Sequence, residues 1–129
     1  MGYGRFFSSI VSRRDFVNIS KSGRRVVSDA FILQGCQGSV CQGKHFPGRF
    51  GITVTKKIGN AVVRSRVRRR LRAVIVDNLD ICNEFGAYDY VVIARFLMAT
   101  DISFSKLSRD FAESIKRFHR YRGKGRIIR

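Results

Sequence analysis

The segment from Ala61 to Asn78 limits how this chain can fold more than any other. Val63, Val67, Leu71, Val74 and Asn78 recur at helical spacing with Ile75 beside them. At about 100° per residue they form one apolar stripe. Arg64, Arg68 and Arg72 line one flank of the stripe, with Arg69 beyond them, and Arg66 and Arg70 lie further round. Gly59-Asn60 supplies a turn and an N-cap for the helix. Such a helix must bury one side in a core and present a wide basic side to solvent.

The charge balance says what that basic side meets. From Ala30 to Val76 there is no acidic residue, and in the whole chain 26 Lys and Arg face 9 Asp and Glu, giving a net charge of +17. That excess repels itself unless a polyanion takes it up. Nucleic acid is the usual polyanion; an acidic membrane surface is the alternative. A merely solvated face mixes signs, often with Glu at i, i+4 to Lys or Arg. A membrane-surface helix exposes large apolar residues, whereas the Val and Leu here belong to a core. Guanidinium forks match phosphate bidentately. The Lys56-Lys57 pair before the turn adds charge, and the amides near Asn60 add a helix N-terminus. A nearly pure Arg face suits backbone contacts rather than base reading, so no DNA partner is expected.

The rest of the chain reads as a single α+β domain over residues 1–129. A composition 44% hydrophobic and 12% aromatic supports a core without disulfides. Residues 1–11 read as a ragged start. Ser12-Arg-Arg-Asp15 reads as a capping box before a short helix with Phe16, Val17 and Ile19, ended by Gly23. Val26 to Leu33 reads as a strand region, one strand or two, and Gly35 to Gly48 as a loop. In Phe50 to Thr55, the apolar Phe50, Ile52 and Val54 alternate with Gly51, Thr53 and Thr55. Tyr88 to Phe96 is apolar enough for a central strand covered on both faces. Ser103 caps a last helix with Phe104, Leu107, Phe111, Ile115 and Phe118 on one side. Residues 120–129 read as a mobile basic tail. The expected fold is an α-β sandwich of about four strands in a small mixed sheet with three helices.

Several function classes find no support in the residues. No G-x-S-x-G, phosphate loop or acid–base pair stands out. Any chemistry would come from a partner. Cys36-x4-Cys41-x3-His45 offers three ligands where zinc takes four, so no metal or cofactor is expected on the side chains. No apolar run is long enough to span a bilayer, and no signal peptide is seen. Cys36, Cys41 and Cys82 read as free thiols of a cytoplasmic protein. Phe16, Phe31 and Phe50 are either core residues or platforms for unpaired bases. Phe16 is the best candidate platform, because Arg13, Arg14 and Lys21 crowd its helix. Thr53 and Thr55 suit sugar or phosphate contacts.

The run Gly51-Ile-Thr-Val-Thr-Lys-Lys-Ile-Gly-Asn-Ala-Val-Val-Arg-Ser-Arg-Val-Arg-Arg-Arg-Leu-Arg72 resembles the signature of the bacterial ribonuclease P protein subunits. Asp15-Phe16, Gly23, Asp89 to Arg95 and Ser103-Phe104 extend the resemblance over about residues 12–118. The resemblance implies an α-β sandwich with a left-handed βαβ crossover. It also implies a ribonucleoprotein whose RNA, carrying Mg²⁺, removes the 5′ leader of precursor tRNA. Lys56, Lys57, Asn60, Arg64, Ser65, Arg66, Arg68, Arg69, Arg70 and Arg72 are then expected to contact the catalytic RNA. Phe16, Phe31, Thr53, Thr55 and Arg95 are expected to line a cleft for the leader. Ser65 replaces the family's central Asn of Arg-Asn-Arg, exchanging an acceptor and two donors for one hydroxyl. Ser20 stands where the family often has a second aromatic. The alternative partner is ribosomal RNA, bound structurally. If about six cations meet phosphates, log affinity for RNA measured against log salt should fall with a slope of roughly −4 to −5.

Overall fold

The computed structural model describes residues 8–10, 12–37, 48–86, 88–121, 123, 125 and 127–128. Its centre is β5 (Tyr88–Ala94), the strand expected from the continuous apolar run. Tyr90 and Val92 are buried on one face of β5, and Val91 is buried on the other with Ile93 packed beside it. The strand ends at Ala94, and Phe96 opens a 3-10 turn (Phe96–Ala99). On one side β5 pairs in parallel with β4 (Gly48–Thr53), and on the other antiparallel with β3 (Phe31–Gln37). β2 (Arg24–Val27) pairs antiparallel with β3. The region from Val26 to Leu33 is therefore a tight hairpin of two strands.

Both ends of the chain contribute to the sheet. β1 (Ser8–Ser9) lies parallel to β4, and β6 (Ile127–Ile128) lies parallel to β2. The sheet order is β1-β4-β5-β3-β2-β6. These short strands correct the expectation of a ragged start and a mobile tail where they fall. Covering an edge satisfies backbone groups that an open strand leaves unpaired. β3 also runs into the expected loop, because Gly35, Cys36 and Gln37 pair with Tyr90, Asp89 and Tyr88. β4 takes up Gly48 at the other end of that loop, and residues 38–47, including Cys41 and His45, lie outside the described residues. Cys36 is disulfide-bonded, against the expectation of three free thiols. Cys82 is a free thiol, which burial pushes up to about 12.

Among the described residues four helices pack on this sheet rather than three. α1 (Arg13–Ser22) crosses the face that carries Val91 and Ile93, placing Ile19 and Phe16 against them. α2 (Ala61–Asp77), α3 (Leu79–Asn83) and α4 (Phe104–Arg120) cover the opposite face. The sheet is thus sandwiched on both sides where α1 crosses it. β4, α2 and β5 make the β-α-β unit that the resemblance implies, with β4 and β5 adjacent and parallel. Val67, Leu71, Val74 and Ile75 are buried, as the stripe requires, beside Leu107, Phe111 and Ile115 of α4.

Asn78 ends the stripe as a polar joint. Its Nδ2 donates to the Val74 carbonyl at 2.8 Å and to Ser108 Oγ at 3.0 Å, tying α2 to α4. The chain turns there into α3, which buries Leu79 and Cys82. Gly86, at φ 89°, carries it on towards β5 in a backbone conformation that L side chains rarely adopt. Gly23 is needed for a different reason. Its φ of −80° is ordinary, but a Cβ would meet the carbonyl oxygens of Ile19 at 2.5 Å and Gly35 at 2.7 Å. Ser12 makes no side-chain cap, so the expected capping box does not form.

The end of α4 is locked to β5 by aromatic rings. His119 stacks on Phe85 with centroids 4.0 Å apart, and its Nε2 shares a 2.7 Å hydrogen bond with the Tyr90 hydroxyl. Burial first, and then the charge of Arg24, lower its pKa from the usual 6.5 to about 4. The unfolded chain therefore takes up this proton before the folded one. The stability linked to His119 is complete above about pH 6.5 and is lost as the pH falls towards 4. Urea midpoints should drop across that window, and His119→Phe should remove this part of the drop while leaving the part due to carboxylates.

Candidate nucleic-acid interface

The basic surface starts at the 3-10 turn Lys56–Ile58, where buried Ile58 anchors two exposed lysines. Asn60 then caps α2, its Oδ1 accepting from the Val63 amide at 3.0 Å. That oxygen serves the helix, and the side-chain amide donors remain for a ligand. Ser65, Arg66, Arg68, Arg69 and Arg72 are exposed, whereas Arg64 and Arg70 are half-buried. Arg70 Nη2 donates to the Ile102 carbonyl, which assigns part of this guanidinium to structure. Arg66 lies 3.5 Å from the fully exposed Asp101, an arrangement worth little in water. It stays available to a stronger anion. Lys56, Lys57, Arg66, Arg68, Arg69 and Arg72 form the accessible cationic set.

A second feature lies between α1 and the sheet. This cleft of about 350 Å³ is walled by Arg13, Phe16, Val17 and Ser20 of α1 and floored by Arg25, Gln34, Thr53, Val91 and Ile93. Its floor is apolar at the centre and polar at the rim, which suits a base or sugar with its phosphate outside. The ring of Phe16 rests on Gly51, where a Cβ would come within 2.6 Å of the ring. On the far side of that ring is a second hollow of about 340 Å³, lined by Ser9, Ile10 and Ile52 and bordered by Arg68, Arg69 and Arg72. Phe16 is the shared wall between the cleft and the arginine helix.

The expected cleft residues divide. Phe16 and Thr53 line it. Phe31 does not, and this corrects the expectation. It is fully buried on the other face of the sheet, its ring 5.9 Å from that of Phe111. Pairing with Ala94 puts it in line with Leu33 and Val92 of the core. Thr55 is exposed beyond the end of β4, where the chain turns into the lysines. Arg95 is exposed past β5, with Nη1 donating to the Ser28 carbonyl at 2.6 Å. Neither Thr55 nor Arg95 lines the cleft. Arg25, Gln34, Val91 and Ile93 were not singled out from sequence. Their signal was the second face of β5, which becomes readable once Gln34 is known to pair with both Arg25 and Val91.

Beside the cleft, a buried ionic cluster that sequence reading missed ties α1 to the sheet. Arg49 on β4 donates through Nε and Nη2 to both carboxylate oxygens of Asp89 on β5, at 3.2 and 2.8 Å. Its Nη1 donates to Asp15 of α1 at 2.9 Å. The hydrogen bond to Asp89, outweighing desolvation, raises the Arg49 pKa and keeps it charged.

An α+β domain with an arginine-covered helix beside a half-apolar cleft defines a class: an RNA-binding subunit built to sit against a phosphate backbone. The chain belongs to the Ribonuclease P protein family, whose model matches residues 7–119. It is 39% identical over 98 residues to the ribonuclease P protein component of Carboxydothermus hydrogenoformans, covering 75% of this chain and 77% of that one. It is 36% identical over 112 residues to that of Lactobacillus delbrueckii, covering 85% and 86%. Over 63 residues, about half of each chain, it is 44% identical to that of Gluconacetobacter diazotrophicus. The Staphylococcus aureus RNase P protein superposes with a TM-score of 0.69 at 28% identity, covering 84% of this chain and 92% of that one. The Thermotoga maritima protein shares the fold with a TM-score of 0.69 at 22% identity, covering 90% and 99%. The role is that of the protein subunit of an endoribonuclease ribonucleoprotein, and a purely ribosomal role is not favoured.

Removing one carboxylate from a buried pair costs about 3–5 kcal/mol when the other charge is left uncompensated, and Asp15 keeps Arg49 partly compensated, so that figure is an upper bound here. Asp89→Asn should lower stability by up to that amount in denaturant titration. Asp15→Asn acts on a more exposed partner and should cost less, while loosening α1 over the cleft.

Proposed function

We propose that α2 and the lysine turn dock on the catalytic RNA of ribonuclease P, while the α1 cleft takes the single-stranded 5′ leader of precursor tRNA. The observation that carries this reading is the position of Phe16. Its ring borders both the cleft and the hollow under Arg68 and Arg72, so a strand lying in the cleft runs towards the RNA-covered helix. Bases stack on Phe16 against the apolar floor of Val91 and Ile93, and Arg13 and Arg25 face the leader phosphates. Exposed guanidiniums on α2 follow the backbone of the larger RNA. The protein positions the substrate and neutralises phosphate repulsion between two RNAs, and the RNA cleaves.

Mg²⁺ enters this reading only as an ion held by the RNA. Among the described residues no three His, Cys, Asp or Glu side chains converge as metal ligands. The cytoplasm, where the RNA partners reside, is part of the same proposal. It no longer draws on free thiols, because Cys36 is paired. No described helix is long and apolar enough to cross a membrane.

Reconstitution with ribonuclease P RNA tests the reading. The protein should raise cleavage of precursor tRNA at low Mg²⁺. Arg68→Ala should weaken assembly with the RNA and leave the leader dependence unchanged. Phe16→Ala should weaken affinity for leader-bearing precursor by about 5- to 150-fold, the range for loss of a stacked base. Affinity for a leaderless substrate should not change. Equal loss on both substrates would remove the leader from the cleft.

A further inference from the structure

α4 begins with an aromatic residue that the core does not claim. Leu107, Phe111 and Ile115 of the same helix face are fully buried, yet Phe104 remains 41% exposed. Its ring stands as a ridge between two hollows of about 360 and 420 Å³ at the junction of α2 and α4. Arg69 and Arg72 border the first hollow, over a small apolar floor of Ala73 and Val76. Ser105, Ser108 and Arg109 border the second. Asp77 lies in both, and its carboxylate accepts from the Ser108 hydroxyl. With the Asn78 bonds to Ser108 Oγ and Val74, that contact fixes the groove between the helices.

We propose that Phe104 is a stacking platform for one unpaired base of RNA, with Arg69 and Arg72 holding the phosphate beside it. The site lies across the sheet from the leader cleft and extends the RNA footprint of α2 onto α4. It rests on the reading of α2 as an RNA dock. The apolar area exposed is one ring and two small side chains, the size of a nucleobase and far below a stable protein interface. The flanking charge is cationic, matching a nucleotide and not an apolar protein surface. Asp77 disfavours phosphate directly over its own carboxylate, so the phosphate lies on the Arg69 and Arg72 side. A base amino group or a ribose hydroxyl can donate to Asp77. An aromatic ring beside guanidiniums is the arrangement by which single-stranded nucleic acid is bound without regard to sequence.

The chain contains no tryptophan, so Phe104→Trp installs a single fluorescent reporter at the site. The titrant is ribonuclease P RNA transcribed from the same genome, with complex formation followed independently by filter binding. Stacking should quench the indole emission of the Phe104→Trp variant as the complex forms, and affinity should stay near that of the unaltered protein. Phe104→Ala should weaken binding by about 5- to 150-fold. A complex that forms with unchanged emission, and an alanine variant within twofold of the parent, would overturn the proposal and leave α2 as the dock. Failure of the unaltered protein to bind the RNA at all would overturn both. A blue shift of the indole emission with rising protein concentration, without RNA, would assign the groove to a second copy of the chain and overturn the base platform.

Discussion

Arg49 sets the position of nearly everything that matters on the α1 side of the molecule. In the parallel pairing of β4 and β5 it lies opposite Asp89, and from there it reaches Asp15 on α1. One guanidinium thus holds two strands in register and a helix at a fixed height above them. Phe16 follows Asp15, and Gly51 lies two residues beyond Arg49 on the same face. The ionic contact therefore brings the ring down on a position in β4 that carries no side chain. In a chain of net charge +17, burying Asp89 and half-burying Asp15 also leaves the outer surface more purely cationic. Burying such a cluster gains little net stability over an apolar replacement. Its value here is positional: it sets the height of α1 and so the width of the cleft.

β5 explains why the protein can have two working surfaces and one small core. Because it is apolar on both faces, α2, α3 and α4 can be packed on one side while α1 covers only part of the other. The uncovered remainder, floored by Val91 and Ile93, is the cleft. A strand alternating apolar and polar residues would have closed one surface or left the other fully solvated. The arginine helix and the cleft are then neighbours by topology. α2 follows β4 directly through the lysine turn, and β4 carries Gly51 under Phe16.

The helix was the legible part of this design, and the cleft was not. Periodicity in a helix is local: Val67, Leu71 and Val74 identify their own buried side, and the arginines fall outside it by elimination. The same holds for α4 and for the double-faced run of β5. Membership of the cleft depends on strand register, which single strands do not encode. Phe31 and Phe16 look alike as aromatics in a basic chain, but pairing of Phe31 with Ala94 sends one to the core. Thr53 and Thr55 alternate alike, yet β4 ends between them. Arg49 sat beside a glycine-rich loop with no periodic neighbour to mark it. Only the fold reveals that its partners lie 34 and 40 residues away. The family signature carried the role of the protein across this gap because it lies on the end of β4, the lysine turn and α2, the part that local pattern already described.

The arginines of α2 are not equivalent, and their differences follow from where the helix is packed. Arg70 turns in towards the segment before α4 and satisfies the Ile102 carbonyl, and Arg66 leans towards Asp101 in the same segment. The Arg70 contact ties α2 to the approach to α4, while the exposed Arg66 pair adds little. Arg68, Arg69 and Arg72 border the second hollow beside Phe16, and Arg69 and Arg72 also border the groove at Phe104. Repulsion among such close like charges weakens the folded state in isolation. It is relieved when phosphates enter, and a ligand that binds only the folded chain stabilises it by mass action. With α2 docked as proposed, the basic face costs stability in the free protein and returns it in the complex. That coupling accounts for a compact aromatic core and a braced α2–α4 junction in so strongly charged a domain: the fold must hold the arginines in place before the RNA arrives.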